Sequence, residues 1–302
     1  MIAALPRPLA AGLAVAALGG AIVAQSARDR WYPRAEAERT DVLYVRSPAA
    51  MKRLAFGFQA LAADVYWIRA IQHYGGDRLD NRSEDAPRRF ELLYPLIDIA
   101  TSLDPYFNIA YRFGAIFLGE PYPGGPGRPD QAVALLRKGI AAMPQKWQYY
   151  HDLAFVYYWR LHDFKAAGEW FQRAAEQPDA PAWLPSVAAS VVTRSADRTT
   201  ARFMWRQLLK SEQPWIRNTA ERSLLQIQAL DQIDQLRATV ILLGPGMEGR
   251  YGWSRLVARG VLLGAPVDPA GTPYEIDPAT GRVSVSPQSP LFPMPQEGGA
   301  PR

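Results

Sequence analysis

"KAAGEWFQRAAEQP", Lys165 to Pro178, sets Ala167, Phe171, Ala174 and Pro178 at spacings of 4, 3 and 4. Steps of four and three keep residues on one face of an α-helix. A small–large–small row on that face lets a second helix approach closely while the large side chain fills the hollow beside it. The same row recurs. "QAVALLRKGIAAMP" carries Ala132, Leu136, Gly139 and Pro144 at 4, 3 and 5, and "TARFMWRQLLKSEQP" carries Ala201, Trp205, Leu208 and Pro214 at 4, 3 and 6. "LYPLIDIATSLDP" carries Leu93, Ile97, Ala100 and Pro105 at 4, 3 and 5. The closing prolines stand 39, 34 and 36 residues apart, the longest interval holding the loop "GEPYPGGPGRPD". Such a period is the signature of stacked helical units, each leaving an apolar face that only its neighbour can cover.

A first helix precedes each row. "AYRFGAIF" sets Phe113-Gly114 before Phe117, "YYHDLAFVYY" sets Leu153-Ala154 before Tyr157, and "LPSVAASVV" sets Ala188-Ala189 before Val192. Together the segments resemble the tetratricopeptide repeat over about Ala49–Leu236. The resemblance implies an all-α fold: an α-solenoid, a right-handed superhelix of antiparallel helix pairs, spanning residues 47–236 and capped by a helix at Trp215–Leu236.

On the helix that starts at Trp147, Tyr150, Ala154, Tyr157 and Leu161 recur at 4, 3 and 4 and predict the core stripe. His151, Phe155, Tyr158, Trp159 and His162 fall on an adjoining face. In this family the inner groove is lined by first helices and takes extended peptides or helices of partner proteins. The resemblance therefore implies a partner-binding groove of Asn108, Tyr111, Gln148, His151, Phe155, Tyr158, Trp159 and Arg194. Such a groove is aromatic and polar. It departs from the members that clamp a peptide carboxylate with several Lys, Arg and Asn.

The flanks differ in texture. "PLAAGLAVAALGGAIVA", Pro8 to Ala24, carries no charge over 17 residues. That length sits at the lower edge for a membrane-crossing helix and also suits a signal-peptide core. Residues 1–27 are expected to be an uncleaved anchor, with a cleaved signal and a buried helix as alternatives, and 28–46 a polar connector. Ser47 as N-cap and Pro48 at the first helical position open one long helix, stopped by Gly75-Gly76. A second helix is expected near Phe90–Leu103.

Residues 237–288 read as an appendage with a short helix and a hairpin, "YEI" and "VSV" flanking the turn "DPATGR". Its run "VDPAGTPYEIDPATGRV" resembles the C-terminal part of type II secretion pseudopilins. The Pro/Gly-rich residues 289–302 predict disorder.

The chain has no cysteine, which removes disulfides, thiolate metal sites and cysteine nucleophiles together. Net charge is +5, but Lys and Arg are interleaved with acids rather than gathered in a nucleic-acid-binding stripe. The histidines are His73, His151 and His162, and no metal-ligand spacing links them. Neither a nucleophile elbow nor a phosphate loop is present. Asp64, set in an apolar helix, is the one acid expected to be buried, paired with a nearby arginine. The expectation is a protein without catalytic, cofactor or metal sites and without nucleic-acid affinity. It would scaffold or help assemble an envelope complex at the bacterial inner membrane, facing the periplasm. A permanent accessory subunit of one membrane complex is the alternative, and a cryptic enzyme ranks below it.

Overall fold

The computed structural model describes residues 17–24, 26–27, 47–79, 89–242 and 252–298. It divides into two units, residues 1–46 and 47–302. In the first, residues 17–24 and 26–27 are helical. The rest of the expected anchor, and the connector 28–46, lie outside the described residues. Among the described residues no helix is long and apolar enough to cross a membrane.

The second unit is mostly helical. α1 (Pro48–Leu54) begins as the sequence reading expects: the Ser47 hydroxyl accepts the Ala50 N–H at 3.3 Å, and Pro48 takes the first turn. The expected long helix is broken, however. Phe56 (φ 44°) and Gly57 (φ 94°) turn the chain through left-handed conformations, and α2 restarts at Gln59 and runs to Leu79. Nor do Gly75 and Gly76 stop α2. Two helical glycines cost about 1 kcal/mol each, but the residues around them are tied down. Tyr74 stacks on Phe117 with ring centroids 4.3 Å apart, and the Asp77 carboxylate accepts the Phe90 N–H at 2.6 Å.

Then follow α3 (Leu93–Leu103), α4 (Asn108–Gly119), α5 (Pro129–Ala142), α6 (Trp147–Trp159), α7 (Phe164–Ala175), α8 (Leu184–Arg194), α9 (Arg198–Leu208) and α10 (Pro214–Leu242). Each of α2 to α9 packs against the helix that follows it, and α4 also touches α6. The rows at 4 and 3 are the buried faces of the second helices. Leu93, Ile97 and Ala100 on α3, Ala132 and Leu136 on α5, Ala167, Phe171 and Ala174 on α7, and Ala201 and Trp205 on α9 are all sealed from solvent. Gly139 shows why a small residue closes the row: the Tyr111 and Tyr149 rings lie against its bare α-carbon. Asp163 and Asp197 cap α7 and α9, accepting the N–H of Ala166 at 2.9 Å and of Thr200 at 3.0 Å.

On the first helices the buried small residues include Gly114 and Ala115 on α4, Ala154 on α6, and Ala188 and Ala189 on α8. Gly114, which the sequence reading set beside Ala154, is a point of close approach: a Cβ there would lie 2.9 Å from Leu135 Cδ2 and 3.0 Å from Ile97 Cγ2. The core stripe of α6 shifts by one. Tyr149, Leu153 and Val156 are buried with Ala154, whereas Tyr150 and Tyr157 are half-buried and Leu161 is exposed. Adjacent tyrosines made the phase ambiguous. Tyr150 turns outward because its hydroxyl finds the Pro144 carbonyl at 2.7 Å and its ring meets Trp170 on α7.

α10 is 29 residues long and passes the expected boundary at Leu236. Beyond it come α11 (Trp253–Ala258) and the antiparallel pair β1 (Glu275–Ile276) and β2 (Val283–Ser284), with Glu275 opposite Ser284. The hairpin turn forms as the sequence predicts, with Asp277 Oδ1 accepting the Ala279 N–H and Gly281 at φ 69°. Tyr274, Val283, Val285 and Leu291 bury themselves against Ala229 and Ile233 of α10. Residues 289–298 are therefore not disordered. Leu291 is 1% exposed, and its carbonyl accepts the Gln226 amide at 2.8 Å. Proline-rich composition predicted disorder, but these prolines leave carbonyls free for side-chain donors.

A cleft between successive first helices

A cleft of about 480 Å³ opens between α4 and α6. Arg112, Ala115 and Ile116 line it from α4, and Asp152, Phe155 and Trp159 from α6, with Arg160 at the end. All of these come from first helices. At its edge the Arg112 guanidinium forks onto Asp152, with Nε to Oδ2 at 2.5 Å and Nη2 to Oδ1 at 3.2 Å. This bond holds Arg112 above the ordinary arginine value. Asp152 Oδ1 also meets His151 Nδ1 at 3.1 Å. The pair satisfies itself, and apart from Arg160 the remaining walls are apolar.

The structure does not bring the expected groove residues together. Phe155 and Trp159 line the cleft and are 38% and 59% exposed. His151 does not belong there. It sits half-buried where α6 meets α8, edge-on to Trp147, Phe155, Phe171 and Trp183 at 4.8–5.9 Å. Tyr111 is no groove residue at all. It is wholly buried, and its hydroxyl donates to the Thr101 carbonyl at 3.2 Å; burial pushes that hydroxyl up to about 12. The position expected to face the groove from α4 instead fills the space over Gly139.

Asn108 is half-buried at the start of α4, its Oδ1 buried without a partner, and Gln148 is half-buried at the start of α6. Tyr158 and Arg194 form a separate ledge. The Arg194 guanidinium lies over the Tyr158 ring at 5.5 Å and over Phe164 at 4.8 Å.

Sequence reasoning missed Arg112, Ile116, Asp152 and Arg160. A signal existed: Arg112 and Asp152 are opposite charges 40 residues apart, close to the 39-residue interval between Pro105 and Pro144. Asp64 is exposed on α2 and not the buried acid expected, because Ala63, Tyr66 and Trp67 take the inward positions of that turn. Among the described residues no group of three or more His, Asp or Glu side chains converges as a metal site would require. No family model, curated protein or solved structure matches this chain.

Proposed function

We propose that the chain is a tetratricopeptide-like α-solenoid that binds a segment of a partner protein along its first helices, as a scaffold or assembly factor. One observation carries this reading. Large exposed apolar side chains concentrate on first helices: Leu61, Val65 and Ile68 on α2, Ile109, Phe113 and Ile116 on α4, and Phe155 and Trp159 on α6. The second helices α3, α5 and α7 expose none; the contrast ends there, since α9 exposes Phe203 and α8 exposes no large apolar side chain. The α2 and α4 sets both recur at 4 and 3. Water-facing apolar rows of this kind mark interaction surfaces, and an apolar helix or extended peptide is their natural complement. We read the uncharged run 8–24 as a membrane tether, and we place the helical body on the periplasmic side of a bacterial inner membrane as part of the same proposal.

Site-specific photocrosslinking from position 155, with mass spectrometry of the adducts, tests the reading. One protein captured by wild type and lost on Trp159→Ala and Ile116→Arg supports it. Adducts that survive both substitutions sink it. A partner that co-purifies in fixed stoichiometry and never exchanges would make the chain a permanent subunit instead. An export-dependent reporter fused at the C-terminus tests the location, and an inactive fusion removes the periplasmic assignment.

A further inference from the structure

Residues 292–298, "FPMPQEG", run without helix or strand from α10 across the start of α9 to the end of α8. Side chains of the helical body hold them mainly by their backbone. Arg222 Nη2 donates to the Phe292 carbonyl at 2.9 Å, and Gln226 Nε2 to the Pro293 carbonyl at 2.9 Å. Pro293 and Pro295 have no N–H to satisfy and limit the conformations open to the strap before it binds. Next, the Glu297 carboxylate is forked by Arg198, Nε at 2.6 Å and Nη2 at 2.7 Å. Last, the Gly298 N–H donates to the Arg194 carbonyl at 2.6 Å. A side chain at Gly298 would strike Phe164, since its Cβ would lie 2.5 Å from Phe164 Cδ2.

We propose that this seat is a peptide-binding site, filled here by the chain's own residues 292–298, which takes in exchange a proline-containing, acidic segment of a partner protein. Two features make the tail replaceable. Met294 alone packs against the neighbouring apolar cluster, while Phe292 and Pro293 face solvent. Arg198 also has two further carboxylates, Asp231 at 3.1 Å and Asp234 at 2.6 Å. Departure of Glu297 therefore strands no unpaired charge, the usual cost of breaking such a pair. The donors read main-chain carbonyls that no helix or strand occupies, so they demand a proline-containing segment with a carboxylate at the right distance, not one sequence. The site lies apart from the α4–α6 cleft and stands or falls independently of it.

The test compares the 302-residue chain with one ending at Leu291, using a fluorescent peptide of residues 292–302. The shortened chain binds the peptide. The 302-residue chain binds it at least about tenfold more weakly, because its tethered tail competes at an effective concentration near millimolar. Arg198→Glu in the shortened chain abolishes binding, and a Glu→Gln peptide binds about tenfold more weakly, the loss of roughly one charge-assisted bond. Trp159→Ala leaves binding unchanged, which separates this site from the cleft. Two results overturn the proposal. One is a shortened chain that melts as the parent does yet binds no peptide. The other is a shortened chain that no longer melts cooperatively, which would make the tail a fixed part of the core.

Discussion

The ring of Tyr111 rests on the α-carbon of Gly139, so that a methyl group there would sit 3.0 Å from Tyr111 Cδ1 and 3.2 Å from Tyr149 Cε2. This contact fixes how closely α4 and α6 approach α5. Gly139→Ala gains about 1 kcal/mol of helix propensity and loses a similar amount to crowding, so it stays near wild type. Gly139→Leu has no room and is destabilising by about 1–3 kcal/mol. Urea unfolding of the two variants checks the contrast; a neutral Leu variant would mean the interface opens freely.

Tyr149 beside it is wholly buried, and its hydroxyl has no hydrogen-bond partner. Burial pushes that hydroxyl well above the usual tyrosine range. An unpaired buried hydroxyl costs about 1–3 kcal/mol. Tyr149→Phe keeps the ring and removes the orphan, so its melting temperature rises. A fall would reveal a partner for the hydroxyl.

Asp197 caps α9, and its hydrogen bonds with Thr200 hold the carboxyl below the ordinary aspartate value. A depressed folded-state value means that the cap stabilises above the unfolded aspartate pKa of about 4 and loses that contribution as pH falls below it. Asp197→Ala should cost about 1 kcal/mol at pH 7. The difference from wild type shrinks at acid pH. Paired unfolding curves near pH 7 and pH 3 show it, and a gap that widens on acidification contradicts the sign.

Trp159 is 59% exposed at the cleft. Trp159→Ala therefore shifts stability by no more than about 0.5 kcal/mol, the usual range for a surface change. An exposed tryptophan at an interface centre is worth about 2 kcal/mol or more to binding. Crosslinking yield at position 155 should fall by at least about tenfold while the thermal melt is unchanged.

The second helices were readable because a 4–3 row of small and large residues has one stable use, burial against neighbours, and Ile97, Leu136, Phe171 and Trp205 all obey it. The first helices were less readable. On α6 aromatic residues occupy inward and outward positions alike, so periodicity left Tyr149 and Tyr150 interchangeable until a third helix chose between them. Half of the cleft was visible as Phe155 and Trp159. The other half needed Arg112 of α4 and Asp152 of α6 to be brought together. The seated tail was hidden for a different reason: its partners Arg198, Arg222 and Gln226 lie 65–99 residues upstream of the atoms they hold.

That separation has a temporal side. Helices α2 to α10 touch mainly the helix before and the helix after, so each can settle as soon as its successor exists. The link from Arg198 to Glu297 closes a span of 99 residues and must wait until Glu297 is made. As a chain made from its N-terminus emerges, α8 to α10 are complete before residues 292–298 exist. The seat is thus open before its own occupant arrives, and any other proline-containing, acidic segment nearby has first access to it.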